Sequence, residues 1–272
     1  MAETLAADRL CRHLREIRAK GRTALIGYLV AGDPDLTTTE MVIAAVATAG
    51  LDLLELGIPY SDPVADGPTI AAAGQRALAA GTTVEDCLDL VERLHHLVPT
   101  ILFTYFNPVY QFGIERFAER AALSGAWGVI IPDITVEEID EIKGPLHAHR
   151  LAVPLLIAPT TNPARAGRIA AASDGFVYVV SRLGVTGERR EPDLNWLKDQ
   201  VERMRQVTDK PLAVGFGISS PKQVGQVAPW SDGVIVGSAL VGSYVGHSGA
   251  AAAQLAADYV GSLIRGLGTA QR

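Results

Sequence analysis

Three carboxylates close together carry the first chemical signal. Leu51 to Ile70 reads LDLLELGIPYSDPVADGPTI, an apolar run that reaches Glu55 and then a proline-rich loop with Asp62 and Asp66. No lysine or arginine lies between Arg22 and Arg76, so Glu55 has no local cation. Burying an ionisable group is costly unless it is paired or used. Glu55 is therefore either a structural carboxylate with a distant partner or an acid–base group at the end of a strand. Taken alone, Asp62-Pro63 and Asp66-Gly67-Pro68 read as turn residues rather than as ligand contacts. Tyr105 and Tyr178 sit near the ends of predicted strands, as packing residues or as hydroxyls that position a ligand.

The second signal is glycine. SRLGVTG (181–187), GFGISS (215–220) and GSALVGS (237–243) each follow or close an apolar run. Glycine lets backbone N–H groups approach an anion, and a helix start at Gly237-Ser238 adds a favourable dipole. Tight turns alone would also explain the glycines, but their recurrence in three consecutive loops favours a phosphate cradle. His13, His95, His96, His147, His149 and His247 all fall on predicted helices or their ends, so no metal site is expected. No lysine sits near the end of a strand, which argues against Schiff-base chemistry.

These groups need a frame that brings distant loops to one mouth. Continuous aliphatic and β-branched runs predict strands at 24–30, 51–57, 100–106, 127–132, 153–158, 175–180, 211–217 and 232–237. Such runs suit strands buried on both faces of a parallel sheet. Thr82-x-x-Glu85 and Thr135-x-x-Glu138 read as capping boxes, while Asn162-Pro163 and Ser220-Pro221 read as helix starts. Leu10, Leu14 and Ile17 mark an extra helix before the first strand, and Gly144-Pro145 predicts a helix end or kink. Eight strand–helix units predict a (β/α)8 TIM barrel. It should be a single domain over 1–272, with a short phosphate-binding helix after strand 8. A doubly wound open sheet shares the same local pattern. In a barrel, Glu55, Asp66, Tyr105 and Tyr178 would gather at the C-terminal mouth opposite the glycine loops, with Tyr28, Ile130 and Phe216 as apolar or aromatic walls.

Composition bounds the partners. The chain has 272 residues, 48% of them hydrophobic, and a net charge of -6, which disfavours nucleic acid and anionic membranes. Cys11 and Cys87 form no paired motif. The charged N-terminal stretch lacks the apolar core of a signal peptide, so a cytoplasmic protein is expected.

LELGIPYSDPVADGPTI (54–70) resembles the signature of the tryptophan synthase alpha chain family. GDPD (32–35), IPDITVEE (131–138), APTTN (158–162), SRLGVTG, GFGISSP (215–221) and GSALV (237–241) follow in family order, so the resemblance spans nearly the whole chain. It implies a lyase of tryptophan biosynthesis that cleaves indole-3-glycerol phosphate to indole and glyceraldehyde 3-phosphate. It also implies an α2β2 heterotetramer, with no cofactor in this chain and pyridoxal phosphate in the beta chain, which receives indole through a tunnel. By motif position, Glu55 matches the general acid/base and Asp66 the carboxylate at the indole nitrogen. Gly187, Gly217, Gly237 and Ser238 match phosphate contacts. Thr186 and Gly187 belong to a closing loop, Tyr178 lies beside the Asp66 equivalent, and Asp62 faces the beta chain. Leu183, Tyr28 and Pro132 depart from the residues many members carry there, which bears on the packing of the indole pocket.

Overall fold

A computed structural model describes residues 6–181, 194–215 and 217–269. Among them, eight parallel strands form a ring: β1 (Ala24–Val30), β2 (Leu53–Gly57), β3 (Thr100–Phe103), β4 (Gly128–Ile130), β5 (Leu155–Ile157), β6 (Val177–Val180), β7 (Leu212–Gly215) and β8 (Gly233–Val236). β1 pairs with both β2 and β8, which an open doubly wound sheet ending on β1 or β8 would not show. The seam between β4 and β5 is closed by the residues just before β5. Val129 N–H donates to the Ala152 carbonyl at 2.8 Å, and Ala152 N–H donates to Trp127 at 3.1 Å.

The helices between the strands are α1 (Ala6–Ala19), α2 (Leu36–Thr48), α3 (Pro68–Ala79), α4 (Val84–Leu94), α5 (Phe106–Phe112) and α6 (Ile114–Leu123). The second half adds α7 (Asp140–Ala148), α8 (Pro163–Ala172), α9 (Leu194–Arg205), α10 (Pro221–Val227), α11 (Ser238–Ser243) and α12 (Gly249–Thr269). Alternation along the strands explains the two cores. Leu25, Leu29, Leu54 and Leu56 pack outward against the helices, while Ile26, Tyr28, Leu53, Ile101, Phe103 and Tyr178 fill the barrel. The register row Tyr28–Glu55–Ile101 places Glu55 on the inner face.

The sequence-predicted helix before the first strand is α1. Its Leu10, Leu14 and Ile17 join the inner layer, with Ala24, Ile26, Ala152 and Phe176, and stopper one end of the barrel. Some local details differ from expectation. The box before α4 is Thr83 with Asp86, one residue later than expected, because the Thr83 hydroxyl and the Asp86 carboxylate satisfy each other's backbone N–H. Thr135 does bond Glu138 at 2.8 Å, but only within a turn, and α7 begins later at Asp140. Pro145 lies inside α7 rather than ending it. The carbonyl it leaves unpaired belongs to the exposed Glu141, where water can serve it. Asn162 and Ser220 cap α8 and α10 as expected.

The end of the barrel opposite the mouth is held by carboxylates placed just before even-numbered strands. Asp52 accepts from Leu25 N–H at 2.9 Å and from Arg22 at 3.1 Å. Asp174 accepts from Val153 N–H at 3.1 Å and pairs with Lys143 at 3.2 Å. Asp232 accepts from Leu212 N–H at 2.7 Å and pairs with Arg205. Each thus satisfies a backbone donor at the start of the preceding odd strand and carries a cation outward. Asp232→Ala would leave the Leu212 N–H unsatisfied in a buried place. The expected loss is about 2 kcal/mol of stability, seen as a lower urea midpoint at unchanged m-value, with turnover per folded molecule unaffected.

Candidate active site

At the C-terminal mouth, Tyr28, Glu55, Asp66, Phe103, Tyr178, Gly217, Ser219, Gly237 and Ser238 line one cavity of about 570 Å³, the open solvent at its entrance included. Ala65, Gly67, Ile70, Ile218, Ile235 and Ala239 complete its wall. Strands β1, β2, β3, β6 and β8 bring Tyr28, Glu55, Phe103, Tyr178 and Ile235 to this point, so side chains far apart in sequence meet here.

Glu55 is 1% exposed, and its Oε1 has no hydrogen-bond partner. Among the described residues no cation neutralises it. Arg76, the next basic residue after the loop, binds Asp33 instead, through Nε at 2.7 Å and Nη2 at 2.9 Å. The bland reading, a buried carboxylate with a distant partner, finds no such partner for Glu55 among the described residues and does hold for Asp33, also 1% exposed. Burial pushes the Glu55 carboxyl up to about 8, so the acid keeps its proton at neutral pH.

Asp66 stands on the loop between β2 and α3. Gly67 is the N-cap residue of α3 and Pro68 begins it, so the loop ends where the helix starts and its excursion is short. Partial burial raises Asp66 to about 6, and a hydrogen bond from Tyr105 opposes that rise. At pH 7 the group is mostly ionised. Two carboxylates in one cavity therefore hold different protonation states, as acid–base pairs in active sites do.

The tyrosines take distinct places. Tyr28 meets Phe103 edge-on, with ring centroids 5.4 Å apart. Its hydroxyl occupies the space where a side chain at position 57 would begin, and the Tyr178 hydroxyl does the same at position 215. Gly57 and Gly215 thus make room for the two phenols along the cavity rim. Tyr105 does not line the cavity; it stands behind the loop, where its hydroxyl accepts from Ala65 N–H at 3.1 Å. Ile130 lies deeper, within the inner core.

The opposite side of the mouth is the glycine side. Gly217 has φ of 93°, a conformation that favours glycine. α11 begins at Ser238, as expected for a short helix after the last strand. Its first intrahelical bond is Val241 N–H to the Gly237 carbonyl, so the amides before it are free to bind an anion. Thr186, Gly187 and Phe216 lie outside the described residues. Asp62 is exposed, next to Val64, which is 72% exposed, and does not reach the cavity.

Ile70, Ser219, Ala65 and Phe103 belong to the site but were not singled out in the sequence. Ile70 and Ala65 carry no chemical signal, and Phe103 reads as ordinary core. Ser219 lay in a recognised glycine loop, and its hydroxyl could have been flagged there. Among the described residues no three His, Cys, Asp or Glu side chains converge as a metal set would. No helix there is long and apolar enough to cross a membrane.

Comparison with known proteins agrees with this geometry. A family model described as Tryptophan synthase alpha chain matches residues 14–261. A tryptophan synthase alpha chain of Picosynechococcus sp. is 47% identical over 230 residues, covering 84% of this chain and 87% of the relative. One from Geobacter sp. is 42% identical over 262 residues, covering 96% and 98%. A solved structure of Mycobacterium tuberculosis tryptophan synthase superposes with a TM-score of 0.88 at 38% identity, covering 95% of this chain and 98% of that one. A matched barrel and sequence matches of this extent lead to one conclusion: the chain belongs to the tryptophan synthase alpha chain family.

Proposed function

We propose that this chain cleaves indole-3-glycerol phosphate to indole and glyceraldehyde 3-phosphate, with Glu55 and Asp66 as its working carboxylates. The observation that carries the residue assignment is the buried, unpartnered Oε1 of Glu55 in a cavity shared with Asp66. A carboxylic acid held there at a structural cost has a use, and proton transfer is the use its position offers.

The bond to be broken joins indole C3 to a carbinol carbon. Direct cleavage would leave a poor carbanion at C3. Protonated Glu55 delivers its proton to C3, giving an indolenine cation. Asp66, ionised, accepts a hydrogen bond from the ring N–H and stabilises that cation. The C3–carbinol bond then breaks, its electron pair returns to the ring, and the hydroxyl proton passes to Glu55 as the aldehyde forms. Glu55 ends protonated, so the cycle closes without another acid or base. Gly217, Gly237 and Ser238 hold the phosphate at the far end of the cavity, which orients the reacting bond. Tyr28 and Tyr178 pack the indole end; the family resemblance would add Thr186 and Gly187 as a closing loop and Phe216 as a pocket residue.

The family works with a beta chain. We read the assembly as an α2β2 heterotetramer, with pyridoxal phosphate in the beta chain and no cofactor in this one. The exposed loop bearing Asp62 and Val64 is the surface offered to that partner. Residues 1–272 form one domain on this reading, and the protein works in the cytoplasm.

The test is indole release from indole-3-glycerol phosphate by the purified chain, alone and with its cognate beta chain. Slow release alone and a rise of at least tenfold with the partner are expected. No release in either condition would reduce the chain to a phosphate-binding barrel that has lost its chemistry.

A further inference from the structure

We propose that Asp133 is a positioning residue for Asp66, acting through the first turn of α5 and the Tyr105 hydroxyl. The proposal rests on the reading of Asp66 given above. Asp133 lies in the IPDITVEE stretch, between β4 and α7, and is itself exposed. Its two carboxylate oxygens accept from Phe106 N–H at 3.0 and 3.2 Å.

That amide has a special place. Phe106 is the first residue of α5, and Tyr105 is the N-cap. Tyr105 makes no side-chain cap bond to the helix, so the first turn lacks a local acceptor. Asp133 supplies one from another part of the chain, with a charge that suits a helix start. A seven-residue helix has little stability of its own, so its first turn depends on such contacts.

The peptide unit that carries Phe106 N–H also carries the carbonyl carbon of Tyr105. With Tyr105 held extended at ψ of 161°, holding that plane sets the direction in which its side chain leaves the backbone. The phenol ends against the Asp66 loop. Its hydroxyl accepts from Ala65 N–H at 3.1 Å and so holds the backbone beside Asp66. The Tyr60 ring lies against Tyr105 at 5.4 Å and limits sideways movement, but it does not set the angle at the backbone. A rotation of about 10° at that backbone would carry the hydroxyl about 1 Å, enough to impair a catalytic alignment.

The titratable groups that face Asp66 are Tyr105 from the start of α5, Tyr28 from β1 and Glu55 from β2. Of these only Tyr105 is linked to Asp133. Tyr105 opposes the rise that burial imposes on the Asp66 carboxyl, so displacing its hydroxyl should move the acid limb of activity to higher pH.

The experiment compares Asp133→Ala, Asp133→Asn, Tyr105→Phe and the double variant Asp133→Ala/Tyr105→Phe, in the full chain with its cognate beta chain. Asp133→Ala should lower kcat about tenfold, leave KM within about twofold and raise the acid limb of kcat/KM by about half a pH unit. Asp133→Asn keeps an acceptor for Phe106 N–H and should stay within about threefold of the parent. The double variant should be no slower than Tyr105→Phe alone, because both changes break one chain of contacts. An equal further loss in the double variant would overturn the proposal, as would an Asp133→Ala protein with unchanged kcat and pH limb, or an asparagine variant as slow as the alanine one. The parallel Asp66→Asn variant keeps the two readings apart. If it turns over like the parent, the role of Asp66 is wrong, whatever Asp133 does.

Discussion

Glu55→Gln should lower kcat by about a thousandfold and, at neutral pH, make the fold more stable as proton load matters less. The rate effect follows from the role: glutamine has the shape of the protonated acid but cannot release a proton to C3 or take one from the hydroxyl. Losses of 10²–10⁴ are usual when a general acid or base is removed, and here one group performs both transfers. A thousandfold is about 4 kcal/mol of transition-state stabilisation. The substrate should still bind, because the phosphate end and the Asp66 contact are intact, so KM should change much less than kcat.

The stability effect has a definite sign. Burial raises the folded-state value of Glu55 from 4.5 to about 8. Between those values the folded protein keeps a proton that the unfolded chain has released. Stability then falls as pH rises, at about 1.4 kcal/mol per pH unit, and the loss has reached roughly 3 kcal/mol by pH 7. Below 4.5 both states are protonated and the burden vanishes. Glutamine does not titrate, so the difference in unfolding free energy between variant and parent should be small near pH 4.5 and grow in the variant's favour up to pH 8. The amide brings its own cost in a buried place, so the pH slope of the difference is the cleaner quantity. Denaturant unfolding at pH 5, 6.5 and 8 measures it. A difference that stays constant across that range would mean that Glu55 is already ionised in the folded protein. A fast Glu55→Gln enzyme would remove it from the chemistry.

The same residue shows how far the sequence can be read. An acidic side chain within LDLLELG, with no cation nearby in the chain, is visible without any structure. Its inward direction is not, because that depends on which face of β2 lines the barrel. The strand centres were legible because buried parallel strands are runs of Val, Ile and Leu. Their ends were not, because a run continues past the point where the ladder stops. Thus β3 ends at Phe103, and Tyr105, apparently on the strand, becomes the N-cap of α5. That shift takes Tyr105 out of the cavity wall and behind the Asp66 loop. The Asp33–Arg76 pair was hidden for a different reason: its partners lie 43 residues apart, and only the packing of α3 brings them together. Asp33 and Glu55 are equally buried acids, yet one has a guanidinium and the other has none among the described residues. Sequence alone offers no way to decide which of two acids a single arginine will choose.

Asp66→Asn is the second large effect, and its pH behaviour separates it from the first. Asparagine can still accept a hydrogen bond from the indole N–H, but it carries no charge. Its electrostatic hold on the indolenine cation is lost, while most of its contact with the neutral substrate remains. An interaction stronger in the transition state than in the ground state acts on kcat, so kcat should fall about a hundredfold with KM nearly unchanged. The parent should show a bell-shaped kcat/KM profile. Activity rises through about pH 6 as Asp66 ionises and falls through about pH 8 as Glu55 loses the proton it must deliver. In Asp66→Asn the acid limb should disappear and the basic limb remain, because Glu55 is untouched. The steady-state rate of indole formation, followed from pH 5 to pH 9, decides the matter. If the acid limb persists in Asp66→Asn, it belongs to another group, and the substrate phosphate becomes the first to test. If the basic limb moves to lower pH as the acid limb disappears, the two carboxylates titrate as one coupled pair, and each limb is a property of the pair rather than of Asp66 or Glu55 alone.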